Sequence, residues 1–211
     1  IISTNADEAE DVFATDVDGD GDIDVLSTST SDDKIAWYEN DGSQNFTERI
    51  ISTTARGAEY VFAIDVDGDG DIDGLSASNY DDKVAWYEND GSQGFTQRVI
   101  STATDGPVSA FAADMDGDGD IDVLSASVGD ATVTWFENDG SQNFTAHTII
   151  TTVSGAESAY AADLDGDGDM DVLSASKWDD KIAWYENDGS QVFTQRMIST
   201  TADGAQSVLA A

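Results

Sequence analysis

Asp16-Val17-Asp18-Gly19-Asp20-Gly21-Asp22-Ile23-Asp24 puts a carboxylate at every second one of nine positions, and the pattern begins again at Asp65, Asp114 and Asp163. Each interval is 49 residues (65−16, 114−65, 163−114). Other features keep the same phase: Trp37, Trp86, Trp135 and Trp184 each open Trp-(Tyr/Phe)-Glu-Asn-Asp-Gly-Ser-Gln, and Phe46, Phe95, Phe144 and Phe193 each precede Thr. One module is repeated four times, as 1–49, 50–98, 99–147 and 148–196, with a partial fifth copy at 197–211.

Each module reads as four short strands. Residues around Val12–Thr15 lead into the acidic loop, Asp24–Ser29 alternates apolar and polar, Lys34–Glu39 puts Ile35 and Trp37 on one face, and Phe46–Ser52 closes the unit. Asp41-Gly42 favours a tight hairpin between the last two, and no segment sustains a helical period. A four-stranded unit of this length has the dimensions of a β-propeller blade, so the expected class is all-β: four full blades plus flanking strands.

Composition limits the function. The 211 residues hold 8 Lys+Arg against 44 Asp+Glu, a formal charge of −36, which argues against electrostatic binding of nucleic acid and makes cations the natural partners. No apolar run approaches a membrane span, and the absence of cysteine removes disulfides and thiolate chemistry. The opening Ile1-Ile2-Ser3-Thr4 suggests a processed protein, or a stretch cut from something longer.

The acidic loop suits a hard divalent cation, which takes about six to eight oxygens. Asp16, Asp18, Asp20 and Asp24 stand at loop positions 1, 3, 5 and 9, Asp22 at position 7 can offer its main-chain oxygen, and Gly21 permits the sharp turn. Without a cation the carboxylates repel one another. An EF-hand is excluded, because Ser27, Ser76, Ser125 and Ser174 stand where that loop needs a bidentate Glu, and both flanks are strands.

Asp-x-Asp-x-Asp-Gly-x-x-Asp between two strands, followed by Asp-Val-Leu-Ser-Ala-Ser and Trp-Tyr-Glu-Asn-Asp-Gly, resembles the FG-GAP/VCBS-type repeat of extracellular β-propellers, related in loop design to the integrin α-subunit propeller. The resemblance spans essentially the whole chain and implies Ca²⁺ in every acidic loop, four ions in all. The implied ligands are Asp16, Asp18, Asp20, Asp22 and Asp24; Asp65, Asp67, Asp69, Asp71 and Asp73; Asp114, Asp116, Asp118, Asp120 and Asp122; and Asp163, Asp165, Asp167, Asp169 and Asp171. Four ions carrying +8 bring the formal charge from −36 to −28. Members of the family serve in adhesion, in sugar binding and as accessory domains of secreted proteins, which implies an extracellular or cell-surface location.

Met197–Ala211 aligns with Ile1–Thr15, so the array ends one residue before a fifth acidic loop. Three arrangements fit: a fragment of a larger ring, two chains sharing a ring, or a small ring with a spare edge strand able to pair with another copy. The in-phase Trp residues are assigned to packing. Trp178 lies outside that phase as a candidate ligand contact, and His147 lacks a nucleophile at catalytic spacing. Carboxylates that recur equally in every copy do not form a unique catalytic constellation. Asn45-Phe46-Thr47 and Asn143-Phe144-Thr145 fit the N-glycosylation pattern. The expected function is a non-enzymatic calcium-binding module, structural or adhesive, including a self-assembling subunit. The alternatives are a multivalent lectin and an accessory domain of a larger secreted enzyme.

Overall fold

The computed structural model describes residues 1–210. Sixteen strands form four antiparallel sheets of four, each built from consecutive strands. Blade 1 holds β1 (Ala9–Thr15), β2 (Asp24–Ser29), β3 (Lys34–Asn40) and β4 (Phe46–Ser52). Blade 2 holds β5 (Ala58–Ile64), β6 (Asp73–Ser78), β7 (Lys83–Asn89) and β8 (Phe95–Ser101). Blade 3 holds β9 (Pro107–Ala113), β10 (Asp122–Ser127), β11 (Thr132–Asn138) and β12 (Phe144–Ile150). Blade 4 holds β13 (Ala156–Ala162), β14 (Asp171–Ser176), β15 (Lys181–Asn187) and β16 (Phe193–Ser199). The only helical element among the described residues is a single 3-10 turn, Asn79–Asp81, and no helix is long and apolar enough to cross a membrane.

The chain divides into two compact units, Ile1–Gly106 with blades 1 and 2, and a second that begins at Pro107 with blades 3 and 4. The register shows how a unit is held. Phe13 pairs with Leu26 and Leu26 with Trp37, so these side chains share one face of blade 1 with Ile35. That leading face packs onto blade 2: Leu26, Ile35 and Trp37 are fully buried against Ala58, Val61 and Tyr87, and the Phe13 and Phe62 rings lie 4.8 Å apart. In the second unit Leu124, Val133 and Trp135 of blade 3 meet Ala159, Val172 and Tyr185 of blade 4, with Phe111 4.5 Å from Tyr160. The opposite, trailing face of each blade carries Val12, Val25 and Tyr38 or their repeats.

Two expectations change in detail. The first strand starts at Ala9 rather than near Val12, because a bulge between Ala9 and Val12 lets three further residues join the sheet. The alternation in Asp24–Ser29 does not divide core from solvent. Ser76, Ser125 and Ser174 are fully buried, because a blade packed on both faces needs small residues where a neighbouring sheet approaches.

Blades within a unit are also tied by backbone. The Ala55 N–H donates to the Asp33 carbonyl (3.2 Å), the Gly57 N–H to the Asp33 carboxylate (3.1 Å) and the Val61 N–H to the Asp11 carboxylate (3.1 Å). In blade 3, Ala131 replaces that turn Asp; its carbonyl still accepts from Val153 (3.0 Å), but no side chain is present to reach Gly155.

Candidate metal centre

The acidic loop joins the first and second strands of a blade, and its own carboxylates fold it. Asp16 accepts the N–H groups of Gly19 (2.8 Å) and Gly21 (2.9 Å), and both glycines take left-handed angles, φ 73° and 94°, which a side chain would strain. Asp24, at the start of β2, is fully buried. One of its oxygens accepts from Val17 in the loop (3.0 Å) and the other from Asn40 at the end of β3 (2.7 Å). Asp73, Asp122 and Asp171 repeat that bridge, to Val66 and Asn89, Met115 and Asn138, and Leu164 and Asn187.

This folding gathers three carboxylates per loop: Asp16, Asp18 and Asp24; Asp65, Asp67 and Asp73; Asp114, Asp116 and Asp122; Asp163, Asp165 and Asp171. Within each trio one oxygen per residue lies within 4.8 Å of the others. Oxygens sharing an ion at about 2.3–2.6 Å can be no more than about 5 Å apart, so the spacing fits a hard cation, and so does an all-oxygen donor set. Asp20, Asp69, Asp118 and Asp167 stand outside these trios; each accepts the N–H of the residue two further on, at 2.9–3.0 Å. The Asp22 carboxylate turns toward Gly42 in the β3–β4 hairpin, and Asp71, Asp120 and Asp169 turn likewise toward Gly91, Gly140 and Gly189.

The trios are short of positive charge. Burial raises Asp73 to about 7 and Asp122 to about 6, against the pull of the two N–H groups that each accepts, and the Asp67, Asp69 and Asp116 charges add to the rise. Asp18, Asp67, Asp116 and Asp165 are also raised, with desolvation the leading cause.

Three further residues matter that the motif reading passed over. Asn40 looked like a turn residue, yet its side chain donates to the Ile23 carbonyl (3.0 Å) and locks the hairpin to the loop; its recurrence in all four copies was the available signal. Gln191 of blade 4 reaches Asp116 of blade 3 at 3.4 Å, beside a cavity of about 290 Å³ lined by the acidic loops of those two blades. Tyr80 lies 98 residues before Trp178 and occupies the same turn; both are 64% exposed, and they lie over Gly57 and Gly155.

His147 is held between an acid and an aromatic ring. Its Nε2 lies 2.6 Å from Glu137 and its ring 4.8 Å from Trp135, and it takes the place that Arg49 holds between Glu39 and Trp37 in blade 1. The in-phase Trp37, Trp86 and Trp135 are buried, as packing requires, whereas Trp184 is half-buried. The Asn45 and Asn143 amides sit on exposed hairpins and donate to Asp41 and Asp139.

Among solved structures the chain is similar to the periplasmic gluconolactonase PpgL of Pseudomonas aeruginosa (14% identity, TM-score 0.61, covering 92% of this chain and 55% of that one). It is also similar to AofleA from Arthrobotrys oligospora (16%, TM-score 0.60, 92% and 57%) and to a protein from Lactobacillus plantarum (15%, TM-score 0.59, 92% and 56%). The chain spans a little over half the length of these structures, and at such identities the likeness concerns the fold alone. No curated protein matches it. FG-GAP-like repeats are found over residues 16–76, 65–125, 114–174 and 164–211, which together reach nearly the whole chain, and it therefore belongs to the FG-GAP-like repeat family.

Proposed function

We propose that the chain is a non-enzymatic, extracellular propeller module whose acidic loops hold Ca²⁺ and whose role is structural or adhesive. Its partners are the ion, surface proteins or glycans, and further copies of itself. The observation that carries this reading is the fourfold recurrence of one three-carboxylate trio, each with a buried Asp that also bridges loop to sheet. A cation held there favours the folded loop over the unfolded chain and stabilises by mass action. Asp16, Asp18 and Asp24 and their repeats would supply side-chain oxygens, with Asp22 and its repeats offering main-chain oxygens. Millimolar calcium outside cells suits sites of this kind.

Thermal unfolding with calcium, with magnesium and with chelator tests the proposal. Calcium should raise the melting temperature well above both other conditions, and equal curves would overturn it.

Tyr80 and Trp178 favour a second reading, multivalent carbohydrate binding. Each ring rests on a glycine backbone and leaves its outer side to solvent, as a platform for the apolar side of a sugar ring requires. A glycan array with the native chain and with Tyr80→Ala/Trp178→Ala decides it: binding lost in the double variant supports the platforms, and identical profiles remove them.

A further inference from the structure

Six of the eight Lys and Arg residues keep the repeat phase. Lys34, Lys83 and Lys181 pair with the turn carboxylates Asp32, Asp81 and Asp179, and Arg49, Arg98 and Arg196 pair with Glu39, Glu88 and Glu186. Arg56 and Lys177 stand outside that phase. The positions equivalent to Arg56 hold Asp7, Asp105, Ser154 and Asp203, and those equivalent to Lys177 hold Thr30, Asn79 and Val128. The exposed aromatics Tyr80 and Trp178 are exceptions of the same kind, since their turn position carries Ser31 in blade 1 and Gly129 in blade 3.

The two kinds of exception coincide in space. The Tyr80 N–H donates to the Arg56 carbonyl (3.1 Å), and the Tyr80 ring lies over Gly57, the next residue of that linker. Lys177 directly precedes Trp178, whose N–H donates to the Ser154 carbonyl (3.2 Å) and whose ring lies over Gly155. Arg56 is exposed and has no carboxylate partner among the described residues. The Lys177 side chain is 41% exposed and holds Glu157 at 3.4 Å, which leaves ammonium protons for a second acceptor. The turn carboxylates nearby are already engaged: Asp81 holds Lys83 (2.6 Å), Asp179 holds Lys181 (2.7 Å), and Asp82 and Asp180 accept the N–H groups of Gly106 and Gly204. The acidic loops lie at the other end of β6 and β14, six residues or roughly 20 Å away. That is more than two screening lengths of about 8 Å at physiological salt, so the local cation sets the field at each aromatic in spite of the −36 charge.

We propose that each unit carries one site for an anionic sugar, a hexose ring bearing a carboxylate or a sulfate: Tyr80 with Arg56 in the first unit, Trp178 with Lys177 in the second. The aromatic ring takes the apolar side of the sugar, and the cation takes the exocyclic anion through a charge-assisted hydrogen bond. Arg56 can hold that anion by two parallel bonds, Lys177 as a point charge. A neutral sugar gains the stacking alone. The inference rests on the carbohydrate reading above and adds the charge of the ligand, which that reading leaves open.

The test is isothermal titration calorimetry of the full chain in millimolar calcium and about 0.15 M salt. The probes are a galacturonic acid trisaccharide, a 6-sulfated galactose trisaccharide and the neutral galactose trisaccharide. At least one anionic probe should bind about three- to tenfold more tightly than the neutral one, and the probe that does so identifies the anion. Arg56→Gln/Lys177→Gln, two changes at the surface, should bring that ratio close to one and leave both the neutral affinity and the melting temperature unchanged. Equal binding of all three probes by the native chain overturns the proposal. So does a preference that survives in the double variant, because the anion then sits on the loop cations at the opposite end of the blade. Binding of no probe also overturns it, while the glycan array decides the carbohydrate reading separately, so the failure of one is distinguishable from the failure of the other.

Discussion

Asp24 and Asp18 belong to the same trio but do different work, and a pair of substitutions separates the two kinds. Asp24 is fully buried and accepts N–H groups from Val17 and Asn40 at 3.0 and 2.7 Å. Asp24→Ala leaves both donors without partners. Each costs about 1–3 kcal/mol if water cannot reach it, and the Asn40 N–H is only part-buried, so the expected loss is about 2–4 kcal/mol. For a unit of roughly 100 residues this lowers the melting temperature by on the order of 10 °C. The loss persists in chelator, because the two bonds need no ion. Asp18, by contrast, accepts one long bond from Asp20 at the surface (3.3 Å), and burial already disfavours its charge. Asp18→Ala should be close to neutral in chelator and destabilising only in calcium, where a ligand is lost. Differential scanning calorimetry of both variants in both buffers is the assay. If Asp18→Ala shifts the transition equally with and without calcium, or if Asp24→Ala is silent in chelator, the division of labour argued from the geometry is refuted.

Three further outcomes are expected. Ala131 holds a left-handed backbone angle, φ 58°, where blades 1, 2 and 4 have an Asp bonded to a glycine N–H; Ala131→Asp should stabilise by about 1 kcal/mol in urea melts, and a destabilised variant would contradict the equivalence of the four turns. Gly155→Ala sets a Cβ about 2.9 Å from the Trp178 ring at φ 68°, so it should cost about 1–2 kcal/mol and shift the Trp178 fluorescence; an unchanged spectrum would mean that the ring does not rest there. Trp37→Ala, at a fully buried position, should cost about 3–5 kcal/mol, and Trp184→Ala, at a half-buried one, distinctly less; equal losses in denaturant melts would contradict the difference in burial between the two positions.

Most of the strand layout was legible because the 49-residue phase repeats turn and strand signals together, so Lys34–Asn40 and Phe46–Ser52 fall nearly where the hydrophobic period puts them. The Ala9–Val12 bulge was not legible, since Ala9-Glu10-Asp11 lacks an apolar pattern and joins the sheet through backbone pairing. That the loop gathers carboxylates able to hold a cation was legible from their alternate spacing. Which carboxylates converge was not, because that depends on left-handed angles at Gly19 and Gly21, which carry Asp20 away from the trio formed by Asp16, Asp18 and Asp24. The Asn40 clamp and the pairing of Tyr80 with Trp178 were visible in the repeat phase but acquire meaning only when loop, hairpin and turn are brought together.

The shared pattern of the first strands has a consequence for how the chain reaches its structure. Residues 9–15, 58–64, 107–113 and 156–162, and the segment 205–210 outside the sheets, share small and apolar residues at the same phase, so a folding chain meets several wrong partners resembling the right one. Affinity alone discriminates poorly among them; proximity does better, because closing the short loop from one blade to the next is faster than closing one that skips a blade. Register within a two-blade unit should therefore be set by order of emergence, its second blade docking on its first before rivals are synthesised. Refolding of the whole denatured chain removes that order, and should yield more misassembled and aggregated product than synthesis from the N-terminus does.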